Sequence, residues 1–300
     1  MLKVGLIGCG FMGAMHANCY KNLEGVELAA VADLRREKAE ELASGTNAQI
    51  FADGKDLIEN AELDIIDICL PTYLHAEYGL LAMEKVPYLF IEKPVTLTVE
   101  QSEALIQKQK VTGCKVQVGQ VIRFWDEYVA LREICKSGEY GKVVNANFRR
   151  ISPSPDWGWE NWLHNIPLSG GAAEDLHIHD IDFVLSMFGE PEKLYSVKQK
   201  LGEKNGYVHT LMEYKEAVVT VEGTWDLPAS HPFEATFRVV FEKGVVENAG
   251  GNISDLGGYY NELKVFTDIA KAGGEIEEAA LVSAAASLKF LLEKELAFNA

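Results

Sequence analysis

The stretch Lys3–His16, KVGLIGCGFMGAMH, decides how the rest of the chain is read. An apolar strand pattern runs into Gly8, Gly10 and Gly13, which stand in the G-x-G-x-x-G spacing. Alone that spacing is a weak signal. After a strand, before a helix, and at the head of an alternating β/α series it marks a dinucleotide-binding turn. Gly8 permits the tight turn, Gly10 lets the backbone approach a pyrophosphate, and Gly13 allows helix and strand to pack closely. Phe11 and Met12 then fall on the first turn of a helix whose unpaired N–H groups face the phosphates. Asp33 closes the next strand, twenty residues beyond Gly13. A carboxylate there accepts from both ribose hydroxyls and repels a 2′-phosphate, which favours NAD; Arg35 and Arg36 keep NADP open.

Working outward, strand-like and helix-like runs alternate as far as about residue 122. VELAAVAD, LDIIDICLP, PYLFIE and CKVQVGQ read as strands, with RREKAEELAS, HAEYGLLAMEK and TVEQSEALIQKQKV as helices between them. Near-continuous apolar strands with helical crossovers mean a doubly wound parallel sheet covered on both faces. Beyond Arg123 the grammar changes. One helix, EYVALREICKSG, leads to the strand KVVNANFRRIS and a helix around DLHIHDIDFVLSMFG. Five strand-like runs follow in quick succession, from KLYSVKQKL to VVENAG, broken by hairpin signals at EYKEA and FEKGV. The expected fold class is therefore α/β. A Rossmann domain over 1–122 precedes an α+β domain with a largely antiparallel sheet over 123–300, closed by two helices.

Composition narrows the function. The net charge of −17 excludes nucleic acid and anionic membranes as expected partners. No apolar run approaches the ~18 residues of a membrane span, and the N-terminus lacks the pattern of a signal peptide. Five cysteines, none in a CxxC pair, suit a reducing compartment, so a cytoplasmic location is expected.

Candidate chemistry gathers at strand ends and on one helix. The third strand-like run ends in Pro71, Thr72 and His75, and ligands of open α/β sheets sit outside the carboxyl ends of strands. Thr72 and His75 are thus candidates for the cofactor cleft, with a first-turn helical role for His75 as the alternative. PYLFIE runs directly into Glu92, Lys93 and Pro94. Pro94 restricts Lys93 to extended backbone, and a lysine held there can stabilise charge developing on a substrate oxygen; a solvated Glu92–Lys93 pair is the plainer reading. In SGGAAEDLHIHDIDF, Asp175, His179 and Asp182 stand at i, i+4 and i+7 and share one α-helical face, while His177 points elsewhere. A histidine with an acid one turn before it has the parts of a general base. A zinc shared by His177 and His179 requires a broken helix, so no metal is expected. In SPSPDWGWENWLHN, placed between the domains, Trp157, Trp159 and Trp162 offer faces for a sugar or for an interface.

Together GLIGCGFMG, ADLRREKA, LPTYLHAEY, IEKPV, VGQVIRFWDEY and SGGAAEDLHIHDID resemble the glucose–fructose oxidoreductase/inositol dehydrogenase (Gfo/Idh/MocA) family, over essentially the whole chain. The resemblance implies hydride transfer between NAD(P) and a secondary hydroxyl of a sugar, sugar derivative or cyclitol. It implies a catalytic set of Lys93, which meets the reacting hydroxyl and the cofactor, Asp175, which anchors substrate, and His179 as acid/base. Glu92 would contact the nicotinamide side. Gln120 and Trp162 join the expected substrate wall. Gln120 stands where members vary, and His177 where many have Gly, so both positions bear on the pocket. A homodimer or homotetramer through the open-faced C-terminal sheet is also implied. Two other functions remain open: glycoside cleavage with a retained NAD, and a non-catalytic dinucleotide-binding sensor.

Overall fold

The computed structural model describes residues 1–199, 206–248 and 257–298. These form two compact units: Met1–Val121 with Leu256–Ala285, and Ile122–Asp255 with Ala286–Ala300. The first boundary lies one residue from the sequence division. The second departs from it, because among the described residues 257–285 pack with the first unit.

In the first unit, strands β1 (Leu2–Ile7), β2 (Val26–Ala32), β3 (Gln49–Phe51), β4 (Ile65–Ile68), β5 (Tyr88–Ile91) and β6 (Lys115–Val118) make one sheet in the order β3-β2-β1-β4-β5-β6. Every neighbouring pair is parallel. Helices α1 (Phe11–Asn22), α2 (Arg36–Ala43), α3 (Gly54–Asn60), α4 (Thr72–Ala82) and α5 (Val99–Thr112) supply the crossovers. This is the doubly wound order, with its switch point between β1 and β4. All four residues of β4 and of β5 are buried, as continuous apolar strands demand. The sequence reading passed over β3 and α3. A three-residue edge strand has no period to detect, and α3 is announced only by Asp53, whose carboxylate caps it through the Lys55 N–H.

The second unit begins with α6 (Asp126–Ser137) and β7 (Val143–Pro153). Between β7 and the remaining strands lie α7 (Ile166–Ser169), a π-helical turn over Ala173–His177, and α8 (Ile178–Phe188). The tryptophan-rich stretch belongs to this unit rather than to a linker. Strands β8 (Lys193–Gln199), β9 (Tyr207–Glu213), β10 (Val218–Leu227), β11 (Glu234–Phe241) and β12 (Val245–Glu247) complete a six-stranded sheet ordered β12-β11-β7-β10-β9-β8. Only β7 and β10 pair in parallel; the other pairs are antiparallel. Alternation along β7 and β10 buries Ala146, Phe148, Arg150, Val219 and Val221, with Tyr128 packed edge-on against Phe183 and Phe237 nearby. The opposite face carries Asn145, Asn147, Arg149, Thr220 and Glu222, joined by cross-strand bonds such as Asn147 Nδ2 to Thr220 Oγ1 at 2.6 Å. The chain ends with α9 (Gly257–Ala272) and α10 (Leu281–Lys289), the latter continuing as a π-helical run over Phe290–Glu295. Helix α9 lays Phe266 edge-on against Tyr88 and Phe90 inside the first unit.

Candidate active site

The glycine loop is shaped by sterics that the sequence motif encodes. Gly8 has φ +96°, and a Cβ there would meet the Cys69 carbonyl at 2.5 Å. A Cβ at Gly13 would lie 1.9 Å from Gly8 O. At Gly10, by contrast, a Cβ would meet nothing nearer than Arg35 Nη2 at 4.0 Å. Two glycines are therefore required by the protein itself, and the third leaves room where a pyrophosphate would lie. Phe11, exposed, and Met12, half-buried, open α1 beside that space. Asp33 Oδ2 accepts the Cys9 N–H at 2.8 Å, and both carboxylate oxygens take the Arg35 guanidinium at 3.0 Å. Burial works to raise the Asp33 carboxyl, but the Arg35 and Cys9 bonds outweigh it and hold it below the ordinary aspartate range. Ribose hydroxyls would accordingly displace the guanidinium from a carboxylate that stays ionised. The residues fit a dinucleotide.

At the carboxyl end of β5, the Glu92 N–H donates to Ile68 O at 3.0 Å, and the Glu92 carboxylate accepts from the Lys93 N–H at 3.0 Å. Only 5% of Glu92 is exposed; its Oε1 lies 3.1 Å from His16 Nε2, inside the unit. Glu92 thus packs against His16 inside the unit. Lys93 is half-buried and joined to Pro94 by a cis peptide. His75, in the first turn of α4, is also buried, with Nδ1 2.8 Å from Pro94 O and Nε2 2.7 Å from Leu70 O. Burial lowers its pKa, although both carbonyls favour the proton. The ring therefore braces the turn that carries Lys93. Thr72 is buried at the start of α4. Gln120, beyond β6, is 1% exposed with a buried Oε1 that has no hydrogen-bond partner.

In the second unit, Gly170 and Gly171 both take φ +71° before the π-helical turn that holds Asp175. His179 lies on the first turn of α8 and is 8% exposed; Asp175 is half-buried. The helix after them is fixed by two buried, bidentate ion pairs. Arg150 reaches Asp180 with Nε at 2.7 Å and Nη2 at 3.2 Å, and Arg123 reaches Asp182 with Nε at 2.7 Å and Nη2 at 2.8 Å. Ser287 Oγ adds a bond to Asp182 at 2.8 Å. Asp182 is therefore an anchor rather than a third member of an active face.

His177 is wholly buried against Gly223, where a Cβ would lie 2.4 Å from its Nδ1. Its Nε2 meets Glu295 Oε1 at 2.6 Å, and Thr210 Oγ1 donates to the same oxygen. His177 belongs to the interior and does not line a pocket. Trp162 packs on Leu163, Ala172 and Trp225, while Trp157 and Trp159 are exposed. Glu174, one residue before Asp175, was not foreseen. Burial pushes its carboxyl up to about 8, and its Oε2 has no hydrogen-bond partner.

A glycine loop at the switch point of a 3-2-1-4-5-6 sheet, followed by an open-faced mixed sheet, defines a two-unit NAD-binding oxidoreductase. Residues 2–120 match the oxidoreductase family with an NAD-binding Rossmann fold, and residues 128–247 match the GFO/IDH/MocA C-terminal domain. The chain belongs to the Gfo/Idh/MocA family of NAD-dependent oxidoreductases. Among curated relatives, an inositol 2-dehydrogenase of Rubrobacter xylanophilus is 30% identical, covering 82% of this chain and 71% of its own. A D-glucoside 3-dehydrogenase of Escherichia coli is 27% identical over 78% of this chain and 64% of its own. The solved myo-inositol dehydrogenase of Lactobacillus casei, in complex with NAD(H) and myo-inositol, shares the fold at TM-score 0.80 and 21% identity, covering 97% of this chain and 92% of its own. Among the described residues, no helix is long and apolar enough to cross a membrane.

Proposed function

We propose that this chain oxidises one secondary hydroxyl of a cyclitol or sugar, with Lys93, Asp175 and His179 as its catalytic residues. NAD, when bound, supplies the hydride acceptor for the hydrogen on the alcohol carbon. His179 takes the hydroxyl proton, and the ketone forms as that proton and the hydride leave. The Lys93 ammonium stabilises the oxygen as it gains negative charge. Asp175 anchors a neighbouring hydroxyl of the substrate. In the reverse direction His179 returns the proton. Gln120, with its unpartnered Oε1, and Trp162 are proposed as substrate contacts.

The observation that carries this reading is the anchoring of α8. Two buried arginine–aspartate pairs fix the helix immediately after His179, as an acid/base needs for a constant geometry. Cyclitols and glucosides are the first substrates to try, because the relatives are named for them. The polar face of the second sheet is proposed as the contact of a homodimer, which light scattering would detect. A cytoplasmic location fits five unbridged cysteines.

The test is NADH formation with NAD and NADP in parallel, across inositols, glucosides, aldoses and sugar acids. One substrate class should respond, with NAD preferred. In that assay His179→Ala and Lys93→Ala should each lower turnover by about 10²–10³-fold, with NAD affinity little changed. Turnover within twofold of the parent in either variant would remove that residue from the mechanism.

A further inference from the structure

Beneath the switch point, α1 packs on a polar island in an otherwise apolar sheet. Asp67, on β4, and Cys69, just past its end, are alternate residues and share the face that meets α1. His16 and Tyr20 come down from α1 one turn apart. His16 Nδ1 lies 2.8 Å from Asp67 Oδ2 and 3.3 Å from Cys69 Sγ, and Cys69 Sγ lies 3.4 Å from Asp67 Oδ1. One donor atom from each of the three residues falls within 4.8 Å of the others. His16 and Asp67 are fully buried; Cys69 is partly exposed, and its carbonyl touches the glycine loop at Gly8.

We propose that His16, Asp67 and Cys69 bind a borderline-soft divalent transition metal of the zinc class. Imidazole nitrogen, thiolate sulfur and carboxylate oxygen are the donor types such ions select. In a tetrahedral zinc site the sulfur–nitrogen and sulfur–oxygen edges would be about 3.5 Å, so the observed edges of 3.3 and 3.4 Å need to widen only slightly. Asp67 keeps Oδ2 for the Tyr20 hydroxyl, which donates to it at 2.8 Å, and offers Oδ1.

A second observation points the same way. His16 Nε2 faces Glu92 Oε1 at 3.1 Å, yet neither atom has an aligned hydrogen bond, and both are buried. The two atoms are thus in ion-pair contact without the alignment of a hydrogen bond. A carboxylate behind the far nitrogen of a metal-bound histidine is the usual supporting arrangement, and a metal on Nδ1 would fix Nε2 as the donor to Glu92. Binding releases the Cys69 thiol proton, and His16 binds as neutral imidazole with its proton on Nε2. Neither the dehydrogenase reading nor its substrate enters this inference.

The tag-free, chelator-treated protein is titrated with Co²⁺ and followed by absorbance. One Co²⁺ per chain, with a thiolate-to-cobalt charge-transfer band that Zn²⁺ abolishes, is the expected result. Cys69→Ser should remove the band, and Glu92→Gln should weaken binding about 10–100-fold. A band that persists in Cys69→Ser, or no band in the parent, overturns the site. A measurement on the parent alone guards against a variant that folds badly: Zn²⁺ should protect Cys69 from alkylation but leave Cys135 as reactive as before. Equal alkylation of Cys69 with and without Zn²⁺ overturns it too.

Discussion

The glycine loop of the first unit and the histidine helix of the second carry comparable tasks by opposite means. The loop is built from backbone: its shape rests on missing side chains at Gly8 and Gly13, and only Asp33 and Arg35 add charge. The helix is built from side chains. Asp180, Asp182 and His177 are each buried and each held by a residue distant in sequence. A backbone site depends on local sterics and is indifferent to pH. A side-chain site depends on ionised groups kept out of water, so it should be the more sensitive to single substitutions and to pH.

The largest effect expected from that contrast is at the ion pairs. Arg150→Met leaves Asp180 buried without its guanidinium, and breaking such a pair costs about 3–5 kcal/mol. Urea unfolding followed by circular dichroism should show this loss, and Arg150→Met combined with Asp180→Leu should recover most of it. A loss under about 1 kcal/mol would mean that the helix is held by packing alone.

Glu174 sharpens the contrast through pH. Its carboxyl is pushed up from 4.5 to about 8 by burial, so the folded state holds its proton where the unfolded state does not. Stability from this group is fully present below about pH 4.5 and is lost as pH rises to about 8. The total is on the order of 3 kcal/mol, with local relaxation allowed for. Glu174→Gln should flatten the urea midpoint across that window. An unchanged slope would show that the charge is relieved by a route other than protonation.

The same contrast explains what could be read from sequence. The glycine spacing, the strand–helix alternation and the Asp33 position were legible because each follows from neighbours within a few residues. The supports of the histidine helix were not. Arg150 and Asp180 are 30 positions apart, Arg123 and Asp182 are 59, and His177 and Glu295 are 118. A weak signal did exist: IRF, FRRIS and HDID place charges inside apolar runs, and a buried charge needs a partner. What the sequence does not supply is which partner. His177 shows the limit most clearly. As a departure from the family pattern it drew attention to the pocket, yet its ring fills space left by Gly223 and pairs with a glutamate at the far end of the chain. Glu92 and His75 show the same limit. Position at a strand end was read correctly, but the direction of the side chain is set by His16 in one case and by two carbonyls in the other.

The smallest effect tests the backbone half. Alanine at Gly13 forces a Cβ to 1.9 Å from Gly8 O, so Gly13→Ala should disturb the loop itself and lower both stability and NAD affinity. Alanine at Gly10 meets no protein atom closer than 4.0 Å, at φ −78° where any residue is at ease. Gly10→Ala should therefore leave the urea midpoint unchanged and weaken NAD about tenfold, roughly 1.4 kcal/mol, as measured by calorimetry. If NAD binds Gly10→Ala as tightly as the parent, the space above Gly10 is not where the pyrophosphate lies. If the variant instead unfolds early, the loop relies on Gly10 for its own packing, and the division between glycines kept for the fold and one kept for the ligand is wrong.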